Sequence, residues 1–174
     1  MLRHNVLVVG KRNAGKSNFC RQLAENTFCP TYLSTFFVET YQVRVSPTQT
    51  LTLYDTPGQR RFHQGLEPKY AQCDIAVLVV RDNAIDEELV QRIQQWAPLI
   101  SWIVVANVDR AFDCTTLSHW ATQAQLPFYR LNVQTREGLP AILQELLRLA
   151  SFHASRGSPL SLQTADVVHY CVQG

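Results

Sequence analysis

The stretch "GKRNAGKS", Gly10 to Ser17, decides how the rest of this chain is read. It fits the spacing G-x-x-x-x-G-K-[ST], with a β-branched run before it and a helical pattern after it. Gly10 and Gly15 let the backbone curl so that successive N–H groups face inward and form a concave anion site. The helix that follows adds the partial positive charge of its N-terminus. Lys16 is then placed to neutralise the outer phosphates of a nucleotide, and Ser17 to ligate Mg²⁺. The rival reading is a strand–helix turn with an incidental lysine, and the flanking pattern speaks against it.

Outward from this loop, strands alternate with helices. "NVLVV" (Asn5 to Val9) and "IAVLVV" (Ile75 to Val80) read as buried strands. "VETYQVRV", "SPTQT" and "LTLYD" read as a hairpin, in which Tyr41, Val43 and Val45 show simple alternation. Helical spacing runs from about Lys16 to Glu25, with Phe19 and Leu23 on one face. It returns in "DEELVQRIQQWAPLI", "TTLSHWATQAQ" and "LPAILQELLRLA", while "WIVVA" and "FYRL" are strands. The pattern implies a mostly parallel α/β sheet of about six strands with helices on both faces. Ligands in such sheets bind at the carboxyl ends of the strands. Gly10, Asp55, Asn107 and Asn132 all stand there. Residues 1–150 make one domain, and 151–174 read as a flexible tail without an obvious element.

"LYDTPGQ", Leu53 to Gln59, is the second anchor. Asp55 ends a strand and is placed to hold the Mg²⁺ hydration shell. Gly58 offers a backbone N–H to a γ-phosphate with no side chain in the way. Gln59 is positioned to orient an attacking water. Alone this is an ordinary turn. The phosphate loop upstream gives it meaning.

With both anchors in place, the chain resembles a small GTPase of the Ras superfamily, nearest the Rab branch, over roughly residues 3–150. The resemblance implies a single P-loop NTPase domain that binds GTP/GDP with Mg²⁺. "TYLSTFFVE" (Thr31 to Glu39) resembles the first switch and makes Thr35 a ligand of Mg²⁺ and γ-phosphate. "DTPGQRRF" resembles the second switch, which extends from Gln59 to Tyr70. Phe28 matches the aromatic residue that lies against the guanine. The loop "NAGKS" is closer to Arf-like loops, and Asn13, Ala14 and Asn18 join Gly10, Gly15, Lys16 and Ser17 as expected nucleotide contacts. Gln59 and Lys16 carry the expected catalysis. Effectors, an exchange factor and a GTPase-activating protein are implied at the two switches. Phe36 and Phe37 fit a partner surface if exposed and the core if buried.

The base end departs from the family. The family reads guanine with Asn-Lys-x-Asp, whose carboxylate accepts from the base N1 and its exocyclic amine. In "ANVDRAF" Asn107 is in register, Val108 replaces the lysine, and Arg110 stands where the aspartate belongs. Asp109 comes one residue early. Either the loop compensates and Asp109 reads the base, which is the favoured expectation, or it points away. In "LNVQTREGL" the residues Asn132, Val133 and Gln134 replace the family's Ser-Ala-Lys, and the backbone N–H of Val133 is expected to reach the guanine oxygen. Arg12 is a further departure. It crowds Gln59 and slows hydrolysis, acts as an arginine finger in cis, or points to solvent.

Composition sets the remaining limits. A net charge of +2 argues against nucleic-acid binding through bulk charge. Five scattered cysteines without metal-ligand spacing read as reduced thiols in a cytoplasmic protein. No apolar run approaches a membrane span or a signal-peptide core. The ending "CVQG" puts Cys171 at a prenylation distance, but Gln173 and Gly174 do not fit the signal and no basic stretch precedes it. Membrane contact is therefore expected through partners, and the protein itself is expected to be a monomer. Two other functions stay in view. A binding module would keep the fold with weak, absent or non-guanine nucleotide binding. A P-loop kinase would leave "DTPGQ" unexplained.

Overall fold

The computed structural model describes residues 2–110 and 112–156. Its strands are β1 (Leu2–Val9), β2 (Glu39–Ser46), β3 (Gln49–Asp55), β4 (Ile75–Val80), β5 (Ser101–Asn107) and β6 (Phe128–Leu131). Its helices are α1 (Lys16–Ala24), α2 (Glu67–Tyr70), α3 (Glu87–Trp96), α4 (Thr115–Gln123) and α5 (Leu139–Arg156), with a 3₁₀ turn at Arg60–Phe62. They form one six-stranded sheet in the order β2-β3-β1-β4-β5-β6. Only β2 runs antiparallel to its neighbour, because the hairpin to β3 is too short for a crossover. The expected α/β sheet with helices on both faces is the fold observed.

The alternation of side chains along each strand divides the core in two. Val6, Val8, Val77, Ile103 and Val105 face α1 and α5, where Phe19, Ile142 and Leu146 cover them. Leu7, Val9, Leu78, Trp102 and Val104 face the other way and meet Tyr70, Leu89, Ile93 and Leu117. All six residues of β4 are buried, as a central parallel strand requires. Burying each such aliphatic side chain contributes roughly 1.5–3 kcal/mol, so these two layers dominate the stability. Val8 pairs with Asp55, Val9 with Leu78, and Asn107 with Leu131, so the carboxyl ends of five strands share one edge.

Two boundaries differ from the expectation. The third helix starts as read, with the Asp86 carboxylate accepting from Leu89 N at 3.2 Å and Glu87 and Glu88 in the first turn. It stops at Trp96, just short of the Pro98 expected at its end. Ala97 precedes Pro98, which excludes helical ψ, and it adopts φ −136°, ψ 68°. The last helix continues past 150 to Arg156, so the segment from Ser151 does carry an element. His153 accounts for the extension, being buried and bonded to Ser101 Oγ at 2.9 Å. The remainder of the expected tail, Cys171 included, lies outside the described residues. Among the described residues, no helix is long and apolar enough to cross a membrane.

Candidate functional site

The phosphate end is built by β1, the loop and α1. Gly15 takes φ +101°, and a Cβ there would lie 2.3 Å from Asn107 Nδ2, so glycine is required twice over. Lys16 is buried and reaches back across the loop, its Nζ donating to Gly10 O at 3.0 Å and Lys11 O at 2.9 Å. Burial lowers its pKa to about 8, against the opposing pull of the Asp55 charge. Ser17 Oγ donates to Asp55 Oδ2 at 2.6 Å and lies 3.2 Å from Thr35 Oγ1. Three separate segments thus bring Ser17, Thr35 and Asp55 together.

Asp55 is fully buried at the end of β3, and its Oδ1 has no hydrogen-bond partner. Burial raises its pKa to about 6, while the Ser17 hydrogen bond and Lys16 pull it down. A buried carboxylate oxygen left unpaired beside two hydroxyls is costly unless a cation or its water meets it. Among the described residues, no group of three His, Cys, Asp or Glu side chains could hold a metal. The donor set therefore fits a hard cation that brings water and phosphate ligands with it, as Mg²⁺ does.

A cleft of ≈ 290 Å³ runs from this cluster along the strand ends. Asn13, Ala14, Gly15, Lys16, Ser17, Asn18, Phe28, Thr35, Gly58 and Asp109 all line it. Asn18 shapes one wall, its amide donating to Cys29 O at 2.8 Å and accepting from Cys29 N at 2.9 Å. That clasp holds Phe28 between the cleft and the core cluster behind α1. Gly58 sits against the loop, where a Cβ would come 2.5 Å from Arg12 N and Cα.

Four expected residues stand elsewhere. Gly10 lies behind Lys16 and serves it as a carbonyl acceptor. Gln59 adjoins Gly58 but does not line the cleft. Asn107 is fully buried and acts as a buttress, donating to Ala14 O at 3.0 Å. Its Oδ1 accepts from Asp109 N at 3.3 Å and Val133 N at 3.4 Å. Val133 is buried, its N–H faces Asn107, and its carbonyl accepts from Gln22 at 3.0 Å. Gln134 lines the cleft in its place, because an Asn132 side-chain turn directs the loop outward.

Arg12 is exposed, which fits the solvent-facing expectation of the three. Its Nε donates to Tyr32 OH at 3.1 Å and its guanidinium lies 5.3 Å from that ring's centre, tying the phosphate loop to the first switch. Phe36 and Phe37 are exposed, Phe37 by 84%, and Phe36 meets Phe62 edge-on at 5.5 Å. Of the two readings left open for this pair, exposure is the observed one.

Two residues escaped the sequence reading. His63 is buried in the second switch; its Nε2 donates to Pro57 O at 2.6 Å and its Nδ1 accepts from Tyr70 OH at 2.7 Å. A carbonyl can only accept, so the tautomer follows from the pairing. Arg81 follows β4 and reaches the end of the cleft where Asp109 and Phe28 stand. Its Nε and Nη2 both donate to the Asp109 carboxylate, the first at 3.0 Å, and its Nη1 donates to Asn13 O at 2.8 Å. An arginine directly after a buried parallel strand, at the ligand-binding edge, was the available signal for it.

Comparison with known proteins agrees with this geometry. Residues 5–125 match the family described as Ras of Complex, Roc, domain of DAPkinase. The chain is 25% identical over 159 residues to the Ras-related protein Rab-18 of Lymnaea stagnalis, covering 82% of this chain and 77% of that protein. It is 28% identical over 109 residues to the GTP-binding protein ypt1 of Schizosaccharomyces pombe, covering 60% of this chain and 52% of that protein. The Ser17–Thr35–Asp55 cluster, the cleft at the strand ends and these matches agree on one assignment: the chain belongs to the Ras superfamily of small GTPase domains, near its Rab branch.

Proposed function

We propose that the protein is a GTP/GDP-dependent switch that binds effectors in membrane traffic or signalling and hydrolyses GTP slowly. One observation carries this reading. Ser17, Thr35 and Asp55 converge from three segments on a spot where a buried Asp55 oxygen has no partner. When bound, Mg²⁺ supplies charge neutralisation across the β- and γ-phosphate oxygens. Lys16 neutralises the same phosphates from the loop side. Thr35 and the Gly58 N–H sense the γ-phosphate and let go after its loss, so the two switches order and disorder. Gln59 orients the attacking water. Its position off the cleft lining supports slow turnover. Exposed Phe36 and Phe37 support an effector surface between the switches, where exchange and activating proteins also act. The setting is the cytoplasm, with any membrane contact made through partners.

A second reading has its own observation. Asp109 is already paired with Arg81, which favours a binding module with weak or non-guanine nucleotide binding.

The test is to purify the protein without added nucleotide, denature it, and identify what is released by chromatography. Near-stoichiometric purine nucleotide that includes GDP or GTP is the expected result. An empty protein that also fails to take up GTP, ATP or XTP analogues with Mg²⁺ would remove the switch and leave the binding module.

A further inference from the structure

We propose that Arg81 is the residue that sets base selectivity, by occupying Asp109 in the way a guanine edge would. The inference rests on the reading above in one respect only: a base is taken to enter the cleft at Asp109.

The geometry is specific. Nε and Nη2 of Arg81 donate side by side to Oδ1 and Oδ2 of Asp109. This is the bidentate fork of a guanidinium on a carboxylate. Guanine presents the same pair of parallel N–H donors, from N1 and the exocyclic amine. Arg81 therefore fills the two lone-pair positions that a guanine would need. The pair is also well shielded, with the Asp109 side chain 9% exposed and that of Arg81 20%. Both residues line the cleft beside Phe28.

Arg81 is held in place from its other side. Its Nη1 donates to both Asn13 O, at 2.8 Å, and Asn13 Oδ1, at 3.0 Å. Asn13 adopts φ 61°, a left-handed conformation that aims its carbonyl and side chain together at the guanidinium. Swinging Arg81 away gives up a shielded ion pair and two anchoring hydrogen bonds. The neutralised Asp109 no longer repels the acceptor at adenine N1 or attracts the donors of guanine. The protein as built discriminates weakly between the two purines, and phosphate contacts supply most of its affinity.

The experiment is calorimetric titration of the nucleotide-free protein with GDP and ADP, each with Mg²⁺. The set comprises wild type, Arg81→Ala, Arg81→Gln, Asp109→Ala and the Arg81→Ala/Asp109→Ala double variant, each first checked by thermal melting. Arg81→Gln preserves most of the side chain's volume without its charge or fork, in case the alanine variant does not fold. The expected wild-type preference for GDP is within about tenfold. Either Arg81 variant should raise that preference by about tenfold or more through tighter GDP binding, and the double variant should return it to the wild-type level. A wild type that binds neither nucleotide, with Arg81→Gln gaining GDP, would sink the switch reading while supporting this one. Three results would overturn it: strong guanine preference in wild type that Asp109→Ala abolishes, unchanged or weakened GDP preference in both Arg81 variants, or no guanine binding in any of the proteins.

Discussion

The two ends of the cleft are built from the same strand edge by different means. At the end proposed for the phosphates stand the Gly10–Ser17 loop, the buried Lys16 and an oxygen cluster locked by short contacts between Ser17, Thr35 and Asp55. At the other end, where the proposal places the base, the Asp109 carboxylate is already held by Arg81. Charge recognition by a curled backbone tolerates much sequence change around it, since every residue supplies an N–H. Edge recognition of a base does not, because it depends on one side chain having free lone pairs in one plane. A domain can thus keep its phosphate chemistry while its base reading drifts.

The contrast can be broken most forcefully at Lys16. Lys16→Ala should weaken GDP and ADP binding alike by on the order of 10²–10³-fold, the loss typical of removing one member of a desolvated charge pair. It should not lower the melting temperature, because the lysine is desolvated without nucleotide. Titration and melting curves check both. Retained affinity would move the phosphate site elsewhere.

Gly58→Ala comes next. Its Cβ would lie 2.5 Å from Arg12 N and Cα, backbone atoms that cannot yield cheaply. Overpacking of this kind costs about 1–3 kcal/mol. The expected result is near-normal GDP affinity with loss of the triphosphate-dependent protection of residues 59–70, followed by hydrogen exchange. Protection equal to wild type would show that the second switch does not close on the loop at this point.

Asn107→Ala sharpens the boundary between the two ends. Asn107 donates to Ala14 O from a fully buried position, so its loss strands a carbonyl at about 1–3 kcal/mol. Stability should fall, and GDP and ADP should weaken by the same factor. A loss confined to GDP would make Asn107 a reader of the base rather than a buttress of the loop.

The smallest effect concerns His63. Burial holds its pKa below the ordinary 6.5, so the unfolded chain binds the proton more readily. The stability linked to it is full above 6.5 and falls as the pH drops from 6.5 through the lower folded value. Melting curves between about pH 7 and 5 should show a steeper decline for wild type than for His63→Gln. Equal slopes would remove His63 as the acid-sensitive staple of the second switch.

Much of this was legible in order along the chain. The strand–loop–helix around Gly10 to Ser17 needs only neighbours in sequence, and Asp55 and Gly58 follow from a short turn after an alternating strand. Tyr41 and Val43 fell on the buried face as their alternation implied. Helix ends were less legible. Pro98 gave a local stop that acts one residue earlier than its own position, and His153 extended the last helix through a contact with Ser101 that no local pattern announces.

The sequence by itself determined the fold and the strand–loop–helix around Gly10 to Ser17, and it singled out Ser17, Thr35 and Asp55, because each is encoded by residue type at short spacing or by period. Tertiary structure decided what Asp109, Val133, Arg12 and Arg81 touch. Arg81 is 28 residues from Asp109 and 68 from Asn13, and the three meet only because β1, β4 and β5 end on one edge. Side-chain pairing across strand ends depends on sheet order and loop path. Neither is written in the local pattern, so the Gly10–Ser17 loop was visible in one dimension and the Arg81–Asp109 pair only in three.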